Sequence, residues 1–465
     1  MSMIEEIEQL LDIDLSEQRK MAKTVRLVRK YYQGEHEDML TEAMKKRLRL
    51  ADGHTLTANW MPLVIHNMAS RINVLSITAD NEDATRWATQ MLADNAFPTL
   101  QNRVHTAAIL DGNAYVLVGF DASRQIPTLT LERAFDNERG FFVVYSGEEI
   151  YCGVKVWNEL VRASDGRHVL QYRVNLYFQD RIERYRKLQN APLEPIDSLS
   201  MPILNGDFLG VPVAHFKNRP LDVYGKSEIE PVIALQDMYN RGLASWLSTI
   251  ETAGFPNRYA VGWDASQLEG VAPGDWIIVA PNGVDKEQRI ELGMIQPGDL
   301  AGTQAALKGI ARIISNITST AAPEFFESDS VSGDAQIARQ TALLGKCQAF
   351  QMNAVQSWAQ MMDIAWNVQA AYGTTPPPDC ERWGVEFSGI GIRRESEIVA
   401  SAVQAYSTGA LSRRAFLEAV RAVFNLTPVD IERILEERNQ EIQTELDKKP
   451  DMLMASPPKP LDSEE

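Results

Sequence analysis

"GDAQIARQTALLGKCQAFQMNAVQSWAQMMDIAWNVQAAY" runs from Gly333 to Tyr372 without a proline, and Gly373 and the Pro376 to Pro378 run close it. The pattern predicts one helix of forty residues, which at 1.5 Å per residue would span about 60 Å. Only Asp334, Arg339, Lys346 and Asp363 are charged, whereas Leu344, Cys347, Phe350, Val355, Trp358, Met362 and Trp366 crowd its surface. A solvated surface helix carries one apolar stripe and one charged face. This one expects neighbours on most sides. Packing between copies of the chain would supply them, and a monomeric helical core is the alternative.

Just upstream lies "TAAPEFFESDSVSGDAQIARQ" (Thr320–Gln340), which places Pro323, the adjacent Phe325 and Phe326, and the acids Glu324, Glu327 and Asp329 between two helical segments. The preceding helix spans "LAGTQAALKGIARIISNITST". Leu307, Ile310, Ile314 and Ile317 fall on one face, and Lys308, Arg312, Asn316 and Ser319 on another. Before it, some forty residues rich in Gly and Pro hold at least two short strands and form a small inserted module. That insert follows a long helix over "GKSEIEPVIALQDMYNRGLASWLSTIETAG", with Ser227 and Glu230 at the spacing of a capping box and Gly254 at its end.

The first 220 residues read as α+β. Ile4, Ile7, Leu10 and Leu11, then Met21, Val25, Val28 and Tyr32, recur at helical spacing before Gly34. Helices are expected across "NWMPLVIHNMASRINV" and across "FPTLQNRVHTAAIL" up to Asp111-Gly112. Strands follow over "AYVLVGF", "PTLTLE", "FFVVYS", "YCGVKVW", "HVLQYRVNLYF" and "RIERYR". Beyond the long helix come a strand near "VEFSGIGIRRES" and three helices, with Ser412 and Thr427 as N-caps and Pro428 at the first helical position. The last stretch, "KKPDMLMASPPKPLDSEE", has no periodicity and reads as a mobile tail.

The 465 residues exceed the size of a single growing core, so more than one domain is expected. A net charge of −17 argues against a large basic surface gripping nucleic acid. Cys152, Cys347 and Cys380 have neither disulfide-framework nor zinc spacing, which fits a reducing compartment. An acidic amphipathic N-terminus and no run of 18 apolar residues predict neither a signal peptide nor a membrane span.

No chemistry emerges from the motifs. The "GKS" at Gly225–Ser227 lacks the glycine of a phosphate-binding loop, since Pro220 stands there. "GIGIRR" puts Arg394 where a dinucleotide fingerprint needs its third glycine. His36, His54, His66, His105, His168 and His215 have no metal-ligand spacing, and there is no GxSxG. No catalytic residue, cofactor or metal is therefore expected.

The order of these segments resembles the portal, or head-to-tail connector, proteins of tailed double-stranded DNA bacteriophages. The residues that carry the resemblance are "RKYYQGEH", "NWMPLVIHNMASRINV", "GKSEIEPVIALQDMYN", "PEFFESDSVSGDAQIAR" and "TGALSRRAFLEAV", within roughly Val25 to Glu445. The resemblance implies an α+β wing over 1–225 and a first stem helix over 226–254. It implies a clip over 255–297, a second stem helix over 298–319 and a tunnel loop over 320–332. The long helix and a strand (333–394) would complete the wing, with a helical crown over 395–447 and a flexible tail over 448–465. It further implies a ring of twelve copies at one capsid vertex of the virion, assembled in the host cytoplasm, through which double-stranded DNA slides. Lys308 and Arg312 would line the channel. Pro323, Glu324, Phe325, Phe326, Glu327 and Asp329 would narrow it. Trp263, Asp264, Trp276 and Lys286 in the clip would face the terminase large subunit and later head-completion proteins. Major capsid and scaffolding proteins would be further partners, and no membrane is involved.

Two other classes stay open on the residues alone. One is another scaffold or minor capsid protein of a phage or prophage particle. The other is a metal-dependent enzyme built from scattered carboxylates such as Asp121, Glu132 and Asp136.

Overall fold

The N-terminal helices form where the periodicity places them. In the computed structural model, α1 (Met3–Leu11) buries Ile4 and Ile7 and α2 (Ser16–Tyr32) buries Val25 and Val28, with Gly34 at φ +81° just beyond. The structure describes residues 2–40, 42, 45, 57–162, 167–188, 191–204, 206–220, 223–254, 258–262, 276–279, 291–295, 299–320, 333–390, 395–424 and 426–447. The helix expected from Asn59 is shorter than its pattern: α3 (Met61–Ala69) stops, and Val74 opens β1 (Val74–Ala79). Long-range partners decide this. The Gln101 side chain bonds both the N–H and the carbonyl of Val74, and β1 pairs antiparallel with β15 (Trp383–Phe387). Local periodicity cannot register either contact. A helix not foreseen, α4 (Glu82–Asp94), follows, capped by Asn81 Oδ1 accepting from the Ala84 N–H.

Helix α5 (Phe97–Asp111) ends at Gly112, φ +85°, and leads into two antiparallel sheets. The first has the order β11-β2-β3, from β2 (Asn113–Asp121), β3 (Ile126–Arg133) and β11 (Val213–Lys217). The second is a meander of β4 (Gly140–Ser146), β5 (Glu149–Arg162), β6 (His168–Tyr177), β7 (Arg181–Leu188) and β8 (Glu194–Ser200), ordered along the chain. Its alternation buries Val154, Val156, Val174 and Leu176 beneath α1. The strands β8 and β11 were not expected: β8 is exposed throughout and carries Pro195 among mostly polar residues, and β11 is only five residues long. Two short strands, β9 (Ile203–Leu204) and β10 (Asp207–Phe208), pair between them.

The forty-residue helix is present as α8 (Gly333–Tyr372) and crosses the three-stranded sheet. Trp358 is its anchor. The ring sits 4.5 Å from Phe216 and 5.0 Å from Phe97, centroid to centroid, and is fully buried. One face of α8 thus finds its neighbours in its own chain, through Leu343, Cys347, Phe350, Ala354, Trp358, Met361 and Ala365. This chain covers α8 on most sides from Ser357 to Ala371, where only Gln360 and Asp363 are exposed, and on that one face before it.

Between the sheets and α8 lie a helix pair and an insert. A 3-10 turn (Glu230–Val232) precedes α6 (Ile233–Gly254). The expected capping box does not form. Ser227 Oγ instead accepts from the Ile229 N–H, and Pro231 disfavours a helical Glu230. The insert shows β12 (Arg258–Val261) parallel to β13 (Trp276–Val279) and antiparallel to β14 (Glu291–Met294). Helix α7 (Leu300–Thr318) returns antiparallel to α6.

The chain then closes with α9 (Glu395–Ser407), α10 (Arg413–Phe424) and α11 (Pro428–Asp447). Both expected caps form: Ser412 Oγ accepts from Ala415, and Thr427 Oγ1 from Asp430, whose carboxylate accepts the Thr427 N–H in return.

Candidate functional site

The helix pair α6 and α7 is held at its root by a close backbone crossing. A Cβ on Gly225 would lie 2.2 Å from the Gly112 carbonyl oxygen and 2.7 Å from the Asn218 N. Only glycine fits. The "GKS" glycine is therefore a packing requirement, and the Lys226 N–H donates to Asn218 O at the same crossing.

Three residues on, Glu228 is buried at 2% side-chain exposure and pairs with Lys346 of α8. Lys346 Nζ also donates to the Ile317 carbonyl in the last turn of α7 at 3.2 Å, and Arg219 lies 3.7 Å from the other carboxylate oxygen. One lysine thus joins the entry to α6, the exit of α7 and the long helix. The exit is tied a second time by hydroxyls. Ser315 Oγ donates to Thr320 O at 2.5 Å, Thr318 Oγ1 donates to Ile314 O, and Ser319 adopts φ +58° as the helix ends. Glu228 is absent from the sequence reading. Its one signal was indirect, a lone lysine midway along an apolar helix.

Helix α7 presents three faces. Asp299 Oδ1 caps it from the Ala301 N–H. Leu307, Ala311, Ile314 and Thr318 are buried in the chain. Gly242 of α6 lies against Leu307, where a Cβ would come within 3.0 Å of Cδ2. Lys308, Arg312 and Asn316 form one exposed flank at intervals of four. Ile313 and Ile317 form another, 48% and 44% exposed. Ile317 therefore leaves the buried face that its spacing assigned to it. Helix α7 contains no Asp or Glu, and among the described residues Lys308 and Arg312 have no ion-pair partner. The structure brings these two together on one flank.

Pro323, Glu324, Phe325, Phe326, Glu327 and Asp329 lie outside the described residues, as do Trp263, Asp264 and Lys286. Trp276 opens β13, with its backbone paired to Arg258.

The candidate enzyme carboxylates are dispersed. Asp121 accepts from the Ser123 hydroxyl and backbone in its own turn, Glu132 pairs with Lys155, and Asp136 pairs with Arg29. Among the described residues no group of three or more His, Cys, Asp or Glu is placed to hold a metal ion. Buried His105 donates from Nδ1 to Ile72 O and accepts the Trp358 indole N–H at Nε2, 3.1 Å each. Burial pulls its pKa down to about 4. Buried His215 is likewise held neutral between Asn113 and Tyr145, well below the ordinary histidine range through desolvation. Burial pushes the Cys347 thiol up to about 11 and Cys152 up to about 12. These are packing residues rather than nucleophiles. No helix among the described residues is long and apolar enough to cross a membrane.

This layered α+β body, with a helix pair bracketing a small sheet and a forty-residue helix across it, is that of a phage portal subunit. The chain belongs to the phage portal protein family, SPP1 Gp6-like, whose model matches residues 12–444. No curated protein matches it. A chain in the virion of a native gene transfer agent particle is similar over 87% of this chain and 99% of its own, at 13% identity and a TM-score of 0.40. Another, in the neck of a native particle of that kind computed with C12 symmetry, covers 77% of this chain and 87% of its own at 14% identity and a TM-score of 0.38. The family match alone carries the assignment.

Proposed function

We propose that this chain forms a ring of twelve copies at one capsid vertex and conducts double-stranded DNA during packaging and ejection, without catalysing a reaction itself. The observation that carries the reading is the outer face of α8. Ala342, Gly345, Gln348, Ala349, Met352, Val355, Gln356 and Gln360 are all exposed, and none is charged. Lys346, the one charge in that span, is turned to Glu228. An isolated helix in water has no reason to present such a face. Copies that each carry −17 repel one another unless they meet through neutral surfaces.

In this reading the α+β body over 1–225, together with 333–394, is the wing. Residues 226–254 and 298–319 are the stem, 255–297 the clip, 320–332 the tunnel loop, 395–447 the crown and 448–465 a tail. Lys308 and Arg312 supply a sparse positive stripe to the channel. Two cations per subunit touch passing phosphates without neutralising a long run of them, so DNA slides. The acids of the tunnel loop repel phosphate while Phe325 and Phe326 narrow the passage. ATP is hydrolysed by a separate motor, the terminase large subunit, which docks on the clip, with Trp263, Asp264, Trp276 and Lys286 as its contact residues. Head-completion proteins later take the same place, and capsid and scaffolding proteins surround the wing.

Met352→Glu tests the carrying observation. Met352 is 76% exposed in the single chain, so the variant folds with an unchanged circular dichroism spectrum. Sedimentation velocity is expected to show the ring lost in favour of small species. A ring of undiminished mass with glutamate at 352 would remove α8 from the interface and the reading with it.

A further inference from the structure

Where α2, α3, α5 and β3 meet there is a cleft of about 550 Å³, within the range of ordinary ligand sites. It is lined without a single Asp or Glu, in a chain with 63 of them. Arg103 and Asn102 project from one turn of α5 at its rim. Among the described residues Arg103 has no ion-pair partner, so its charge is not cancelled locally. Arg133 lies opposite. Its Nε and Nη2 bond Asp111 at 3.0 to 3.2 Å, which leaves Nη1 without a partner among the described residues. One wall carries the Tyr32 hydroxyl, 2.7 Å from His66 Nε2. Leu110 and Leu131 form an apolar floor.

We propose that this cleft is a docking site for an acidic peptide segment of another protein, one that sets a carboxylate beside an aliphatic side chain. The rim supplies guanidinium donors, which match carboxylates in a planar fork, and the floor supplies the seat for the aliphatic group. Charge complementarity selects the occupant. An acidic segment gains most where an acidic chain leaves an uncompensated arginine. Duplex DNA would find one free cation on a surface otherwise repelling it and would have no use for the leucine floor. No residue of α6 or α7 lines the cleft.

The test uses the full-length protein and a fluorescein-labelled peptide of repeated Leu-Asp-Glu triplets, read by anisotropy at low salt. Saturable binding is expected, weakened by added salt. Arg103→Glu is expected to weaken it about tenfold, and the Leu-Asn-Gln peptide should not bind. Thr106→Glu, which adds a carboxylate beside Asn102 at the cleft, should act in the same direction. Sedimentation of the same variants separates this question from assembly, since both should assemble as the parent does. Absence of binding, binding indifferent to both substitutions, or a short DNA duplex competing for the Arg103-dependent site would each overturn the proposal.

Discussion

Trp358 and His105 show how much one contact can fix. The indole N–H donates to His105 Nε2, and His105 Nδ1 donates to Ile72 O, so the neutral tautomer with hydrogen on Nδ1 satisfies all three groups. A second proton on Nε2 would face the indole N–H. The folded-state pKa of about 4 lies below the unfolded value near 6.5, so the unfolded chain binds more protons between those limits. Stability is therefore full above pH 6.5 and falls as pH drops toward 4, by on the order of 3 kcal/mol from this group. Thermal melts at pH 7.5 and 5.0 should show the loss, and His105→Gln should reduce the difference by the share of His105, leaving that of buried His215. A wild-type melting temperature unchanged across that interval would contradict it. Trp358→Ala should cost about 3 to 5 kcal/mol by leaving a cavity and an unpaired imidazole, measured by denaturant titration at neutral pH. The sequence placed both residues on helices but did not pair them, because a separation of 253 residues lies outside any local pattern.

At the scale of elements, the junction of α6, α7 and α8 rests on the Glu228–Lys346 pair. Glu228→Gln or Lys346→Met alone strands the other group, and each should cost about 3 to 5 kcal/mol. The double substitution should recover much of that, a non-additivity that a double-mutant cycle in urea reads directly. Additive losses would mean that the two side chains do not depend on each other. On α7, neutralising Lys308 and Arg312 should leave ring mass unchanged. Reversing both to glutamate should slow DNA entry in a packaging assay, with a steeper dependence on salt. Helices were legible where periodicity and caps coincide, as with Ser412, Thr427 and Pro428, and α8 matches its expected limits of Gly333 and Tyr372. The failures have two causes. β1 and β11 are short and acquire their state from distant partners, whereas β15 forms where a strand was expected, and Pro231 displaced a helix start that Ser227 and Glu230 otherwise spelled out. Ile317 kept the correct helical phase and still faces outward, because phase alone does not say how wide a buried stripe is.

For the whole molecule, the family was legible in the order of segments, since a helix pair around a small insert followed by a very long helix survives in sequence even when side chains diverge. The residues proposed to face the channel were less legible. A single chain can show that Lys308 and Arg312 share an exposed flank, but what faces that flank belongs to the assembly. The uncharged outer side of α8 is the feature of the monomer that most requires other copies. A heterologous interface repeated around an axis closes into a ring only if each copy offers two matching surfaces. The most direct measurement is the native mass of the purified protein, with averaged end-on electron micrographs of the same sample. The account predicts twelve times 52.1 kDa, about 625 kDa, and a central hole. A monomer or dimer that persists at high concentration, with no hole in any view, would contradict it.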